Sequence, residues 1–389
     1  MHNDNDNVSQ YSNHVKVLPA HDTKHVPLLV YPFRDNIIFH LSQSDDGANN
    51  GTALWLGSQI LSAFLTDTSP HPRLSVDYDN TARVNWKHLS SRDPSVLDQN
   101  NPTISSSVPI RNPSGLRQSR RRSHAIELGS GVGLTSLVLA AQGWSVLATD
   151  TPAVLHSVLR PNIRRNTRNT TNTITTTDGS SATATTRLLG TVQVRALDWT
   201  VPPEEWNWSD PECVTGSSTI SDSGDIRIQT RMARGVTDES SGEELLGPPF
   251  DLILTADTVY SPDLIMPLLR TIKHLILLSA SPPQHTVISE SKSESKYSNS
   301  KQKQKKSWPP VYLALEKRDP VQLASFFSQA HDIWGLGAQR IPTPRIRRAM
   351  SRTGFSHWKK EDWEGVEVWK LYLLDPGSDS NCNVTSYRV

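Results

Sequence analysis

Residues 126–137, IELGSGVGLTSL, set Gly129, Gly131 and Gly133 between an apolar run and a stretch of helical spacing. Alternating glycines leave the backbone bare enough to approach a ligand closely, and the free amides of a following helix favour a negative group. About twenty positions on, Asp150 ends the next apolar run, where a carboxylate can hold two ribose hydroxyls. A dinucleotide fingerprint would need glycine where Leu134 stands. The spacing therefore disfavours a nicotinamide or flavin and favours S-adenosylmethionine, whose methionine carboxylate is a smaller anion. A tight turn without a ligand and, for Asp150, a helix cap before Pro152 are the plainer alternatives.

A second chemical group stands at Asp257-Thr258-Val259-Tyr260, closing the near-continuous apolar run 250–257. A carboxylate at the end of a buried strand is costly unless it is partnered or working. Asp257 is therefore a candidate for catching and orienting a cationic acceptor, and Tyr260 for an aromatic wall that attracts the cation and excludes water. Capping of a helix before Pro262 and plain packing are the alternatives. Cys213 and Cys382 sit in polar surroundings without metal-ligand spacing, so neither a metal site nor a disulfide framework is expected.

These groups need strands to hold them. From residue 123 the pattern runs strand 124–128, glycine turn, helix 134–143, strand 144–150, then a helix over 152–166 that Pro161 interrupts. A strand over 192–199, the apolar run 250–257, a helix over 262–278, a strand over 311–318, a helix over 321–334 and a last strand over 365–374 follow. Upstream, 25–43 reads as a strand pair with a turn at Asp35-Asn36, and 51–65 as a helix. Strands alternating with helices predict an α/β fold with an open, mostly parallel sheet covered on both faces.

Of 389 residues 35% are hydrophobic, enough for a real core, while 26 prolines and long polar tracts mark much of the length as insertion. The expected layout is a disordered N-terminus at 1–24, a strand pair and helix at 25–65 and a low-complexity insertion at 66–122. The main domain then spans 123–376, with polar insertions near 167–188, 200–247 and 281–307, before a tail at 377–389. Lys plus Arg number 40 against 39 for Asp plus Glu, so direct nucleic-acid binding is not expected of the chain as a whole. The start lacks an apolar segment after basic residues, and the stretch 264–280 is short and broken by Arg270 and Lys273. Neither a secretory signal nor a membrane span is expected, which points to a soluble cytoplasmic and/or nuclear protein. The basic runs 117–122 and 301–306 read as solvated tails, with nuclear import or an acidic partner as the sharper alternative.

The segments ALWLGSQILSAFL, AIELGSGVGLTSLVLAAQGWSVLATD, VRALDW, FDLILTADTVY and VYLALEKR resemble, in this order, the motifs of the seven-β-strand protein-lysine methyltransferases called methyltransferase family 16, or the methyltransferase-like 21 group. The ending Glu316-Lys317-Arg318 looks most like the methyltransferase-like protein 22 branch. The resemblance comes in pieces separated by insertions. It implies a Rossmann-like, seven-stranded, mostly parallel methyltransferase sheet with S-adenosylmethionine as cofactor. It also implies that Gly129, Ser130 and Gly131 line the methionine end, that Trp55 lies near that end and that Asp150 holds the ribose. Asp198 and Trp199 match the position beside adenine, Ala256 a backbone contact to the cofactor, and Asp257 with Tyr260 the catalytic pattern. Core packing is the alternative for Trp55 and Trp199. Glu316 and Arg318 read as an ion pair at the rim or, as the strong alternative, as a solvated loop, and neither is expected to be catalytic.

Methyl transfer from a sulfonium is an in-line displacement, so an acceptor lysine, of pKa about 10.4 in water, must shed a proton before it attacks. The expectation is a monomeric protein-lysine N-methyltransferase acting on a protein substrate. Methylation of protein histidine or another nitrogen acceptor, and a non-catalytic cofactor-binding scaffold, are the alternatives.

Overall fold

The computed structural model describes residues 16–33, 37–44, 51–68, 122–167, 170–175, 181–186, 188–215, 244–280 and 308–374, all within one compact unit. The chain opens with a short helix α1 (Ala20–Thr23) and an antiparallel pair, β1 (Leu28–Phe33) and β2 (Ile37–Ser42), followed by α2 (Leu56–Thr68). Then come β3 (His124–Leu128), α3 (Leu134–Ala141), β4 (Ser145–Asp150) and a helical run made of α4 (Pro152–Val154), a π turn (Leu155–Leu159) and α5 (Arg160–Thr167). Strands β5 (Thr170–Thr175) and β6 (Ser181–Thr186) pair antiparallel and precede β7 (Thr191–Ala196) and β8 (Leu252–Ala256). The chain continues through α6 (Pro262–Leu278), β9 (Val311–Glu316), α7 (Pro320–Asp332), β10 (Leu336–Arg340), α8 (Thr343–Arg352) and β11 (Val366–Leu373).

Seven strands form the central sheet in the order β10-β11-β9-β8-β3-β4-β7. Pairings from β9 across to β7 are parallel, while β11 runs antiparallel to both β9 and β10, so it alone is reversed. Successive side chains of each strand enter two apolar layers, as the pleat requires. On β8, Leu252 and Leu254 join α2, α3 and α8 on one face, whereas Ile253 joins α6 and α7 on the other. Both faces being covered explains why 250–256 reads as a continuous apolar run instead of an alternating one. Phe64 of α2 is fully buried, with its ring edge-on to Tyr312 at 5.4 Å. Phe64→Ala is expected to cost about 3–5 kcal/mol of stability, read as a lower midpoint in urea denaturation at unchanged slope.

The fold is a Rossmann-like, seven-stranded, mostly parallel sheet with helices on both faces. Four local expectations need correction. Residues 16–24 were expected without fixed structure, yet Val17 and Ala20 are buried, and the Val17 carbonyl accepts the Trp358 indole N–H at 2.7 Å. Pro161 does not interrupt its helix: the preceding π turn, in which the Arg160 N–H bonds back to Leu155 O, makes room for the proline ring, which lacks an N–H to give. The tract 167–188 carries the β5–β6 pair where disorder was expected. Lastly, β10 and α8 were not anticipated, because β10 is short and α8 buries only Ile346, Ala349 and Met350 among its arginines. The basic runs 117–122 and 301–306 and the insertions at 69–121, 216–243 and 281–307 lie outside the described residues, save for Arg122. Among the described residues no helix is long and apolar enough to cross a membrane.

Candidate active site

Strand β3 has β4 on one side and β8 on the other, so the chain changes direction of travel across the sheet at this point. In an open parallel sheet the crevice for a ligand lies there, beyond the carboxyl ends of the strands. A cleft of about 650 Å³ occupies that place, a size suited to a small-molecule cofactor. Gly129 and Gly131 follow β3, Asp150 ends β4, Asp198 and Trp199 follow β7, Ala256 and Asp257 end β8, and all line it together with Trp55 and Tyr260. Nine of the ten residues singled out from sequence thus meet in one cavity. Ser130 is the exception: its hydroxyl accepts the Thr149 N–H at 3.1 Å and is turned into the sheet, where it fixes the turn instead of facing the cleft.

The glycine turn is held from below. Glu127, buried in β3, accepts a hydrogen bond of 2.5 Å from Ser136 on α3, and burial pushes its carboxyl up to about 7. Gly129, Gly131 and Gly133 adopt positive φ of 69°, 54° and 88°, a region open to glycine without penalty. A Cβ on Gly129 would stand 3.3 Å from the Trp199 ring and 2.7 Å from Thr258 Cγ2, so the turn is bare where the aromatic ring closes over it. The loop carrying that ring is tied down by α6, whose Arg270 donates to the carbonyls of Trp199 at 2.8 Å and Thr200 at 3.0 Å.

Asp150 accepts the N–H of Gly131 at 2.8 Å and that of Thr151 at 2.8 Å, and its burial raises the carboxyl to about 6. Asp257 is held more tightly still. It is the one non-glycine residue with positive φ, 54°, among the described residues, a conformation that costs about 1–2 kcal/mol for a side chain with Cβ. One carboxylate oxygen accepts the Gly57 N–H at 2.7 Å and the other the Glu316 N–H at 3.2 Å. Asp257 therefore caps the start of α2 from 200 residues away instead of the helix that begins at Pro262. Burial raises its carboxyl to about 6, against the lowering effect of the Gly57 amide and of Arg318. Gly57 admits this contact because it has no side chain; a Cβ there would lie 2.7 Å from Asp257 Cγ.

At the rim, Arg318 pairs with Glu316 at 2.5 Å, and its guanidinium carbon lies 4.4 Å from the centre of the Trp55 ring. Lys24 Nζ lies 3.7 Å from the same ring centre, so Trp55 carries two cations. Tyr260 is 47% exposed, a wall residue and not a core one. Sequence reasoning missed Gln322 at the start of α7, which lines the cleft with its buried Nε2 lacking a hydrogen-bond partner. It also missed Asp319, the α7 cap that accepts from Val321 and Gln322. An Asp-Pro pair ahead of a helical pattern was the available signal for the latter.

The cleft presents five carboxylates, Asp150, Asp198, Asp257, Glu316 and Asp319, against a single cation, Arg318. The bare glycine turn, the aromatic ring above it and the strand-end carboxylate together suit the methionine, adenine and ribose parts of S-adenosylmethionine, and the acidic balance suits its positive charges.

Residues 34–178 match the family described as lysine methyltransferase, a stretch that contains the glycine turn and Asp150 and ends before Asp257. No curated protein matches the sequence. Among solved structures, an S-adenosylmethionine-dependent methyltransferase SibL in its apo form is 12% identical, with a TM-score of 0.29 over 66% of this chain and 51% of that one. A human methyltransferase 10 domain containing protein is 8% identical, with a TM-score of 0.30 over 67% and 75% of the two chains. The magnesium protoporphyrin IX methyltransferase of Synechocystis PCC 6803 with bound SAM is 9% identical, at 0.27 over 65% and 70%. The chain thus spans about half the length of the SibL structure, and likenesses at this level say nothing about substrate. Residues 34–178 thus match the lysine methyltransferase family, and the sheet those residues enter is Rossmann-like.

Proposed function

We propose that the protein transfers a methyl group from S-adenosylmethionine to the side-chain amine of a lysine in a protein substrate. The carrying observation is Asp257, a buried carboxylate held in a strained backbone at a strand end of an acidic cleft. Strain of this kind persists only where the surroundings impose it, and it gathers at functional sites. When bound, the cofactor supplies an electrophilic methyl group on a sulfonium. The two amides on Asp257 occupy two of its roughly four acceptor sites, and the remaining lone pairs are available to an arriving ammonium. Asp257 thus orients the acceptor, and Tyr260 walls the channel. Trp55, clamped between Lys24 and Arg318, fixes the side of the channel nearest α2. The Glu316-Lys317-Arg318 ending supports placing the chain in the methyltransferase-like protein 22 branch.

The proposal is tested by incubating the protein with isotopically labelled S-adenosylmethionine and a cell extract, then mapping the product by mass spectrometry. Methyl-lysine in a protein band that disappears with Asp257→Asn is the expected result. Methyl-histidine or a methylated nucleobase would move the acceptor, and no labelled product from a folded, cofactor-binding protein would leave a scaffold.

A further inference from the structure

A second cleft, of about 340 Å³, is lined by residues at the ends of β9 and β10 and the start of β11. Lys317 lines it, and Lys317 stands between Glu316 and Arg318 of the cofactor cleft, with its N–H bonded to Gly365 O at 2.9 Å. Arg340 at the end of β10, Arg347 on α8 and Lys360 complete a ring of four cations. The surrounding sequence is biased in the same sense, since residues 333–360 contain five arginines and two lysines and no acidic residue, in a chain whose net charge is only +1. All seven of these cations are exposed.

The charges are only partly neutralised. Lys317 and Arg340 share the buried Glu367, at 3.6 and 3.1 Å, Lys360 pairs with the exposed Glu364 at 3.2 Å and, outside the cleft, Arg352 pairs with Asp67 at 3.0 Å, so the four cations of the cleft exceed its two carboxylates by two. Arg347 and Arg348 have no acidic partner among the described residues. The start of α8 adds to the field, because Thr343 faces the cleft and no side chain caps the free amides there.

An anion fits this surface, and its form is decided by what stands between the cations. Glu364 and Glu367 interrupt them inside the cleft, which suits separate carboxylates and opposes a continuous phosphate backbone. Trp358 and Trp363, the aromatic rings available for stacking on bases, are only 9% and 6% exposed.

We infer that the basic cleft of Lys317, Arg340, Arg347 and Lys360 receives an acidic segment of the methyl-accepting protein, next to its target lysine. The inference rests on the lysine reading above and supplies its selectivity: the acidic cleft takes the lysine, and the basic cleft one strand-end residue away takes the acidic residues beside it. Opposite fields side by side fix the direction in which a substrate lies and discourage partners of the wrong charge.

The test measures fluorescence anisotropy of a labelled octaglutamate peptide titrated with the full chain, at low and high salt, against the double variant Arg347→Glu and Lys360→Glu. The expected result is salt-sensitive binding to the wild type, weakened at least about tenfold in the variant, while S-adenosylhomocysteine binding to the variant is unchanged. Absence of peptide binding to the wild type, or equal binding by the variant, would overturn the inference. Tighter binding of an oligouridylate than of the peptide would overturn it in favour of a nucleic acid. Peptide binding needs neither cofactor nor methyl transfer, so failure of the lysine reading would show separately, in the labelling experiment.

Discussion

Gly131→Arg is expected to abolish the stabilisation of the protein by S-adenosylhomocysteine. At about 100 times its dissociation constant, a ligand that binds only the folded state adds about 2.7 kcal/mol, a shift of several degrees in the melting temperature. Gly131 holds φ at 54°, gives its N–H to Asp150, and leaves room for a Cβ only 3.1 Å from the carbonyl oxygen of Gly51. An arginine must therefore either flip the turn, breaking the bond that orients Asp150, or push its side chain into the cleft. Thermal melts with and without the ligand read the result: the wild type shifts upward and the variant does not, while both retain the circular dichroism of an α/β protein.

Asp257→Asn is expected to lower kcat/KM for methyl transfer about 100-fold or more, because an acceptor misplaced by about 1 Å already costs that much. Asparagine tolerates the left-handed backbone at this position nearly as well as aspartate does and still offers one carbonyl oxygen to the Gly57 or Glu316 amide. The variant should therefore fold and bind cofactor while failing in transfer. Asp257→Ala removes both acceptors and should in addition lose stability, by about 1–3 kcal/mol for a buried donor left unpaired.

The same group sets a pH dependence. Its carboxyl is raised to about 6 by burial, so the ionised form that receives a cation accumulates as pH rises through about 6. For the free enzyme kcat/KM should climb across that range, and Asp257→Asn should flatten the climb. Stability moves the other way: the folded state binds the proton more tightly than the unfolded chain, so the contribution of this group is present below about pH 4 and lost as pH passes about 6.

The site was more legible in the sequence than its surroundings, for physical reasons. A parallel strand buried on both faces leaves an apolar run ended by a carboxylate, and that pattern gave both Asp150 and Asp257 their places. A tight turn that must lie close to a ligand leaves glycines, and Gly129 and Gly131 meet that need. What α2 contributes was hidden, because the bond from Gly57 to Asp257 joins residues 200 positions apart, and no local pattern records it. Ser130 carried the right spacing but the wrong direction, since side-chain orientation at a turn follows from the fold around it. The helix α8 escaped notice because four arginines mask its three buried residues, and one of those arginines, Arg347, lines the basic cleft.

The most direct test of the account is calorimetric titration of the wild type, Gly131→Arg and Asp150→Ala with S-adenosylmethionine and S-adenosylhomocysteine. The account expects saturable one-to-one binding of both ligands to the wild type, lost in both variants. A folded wild type that binds neither ligand would contradict it.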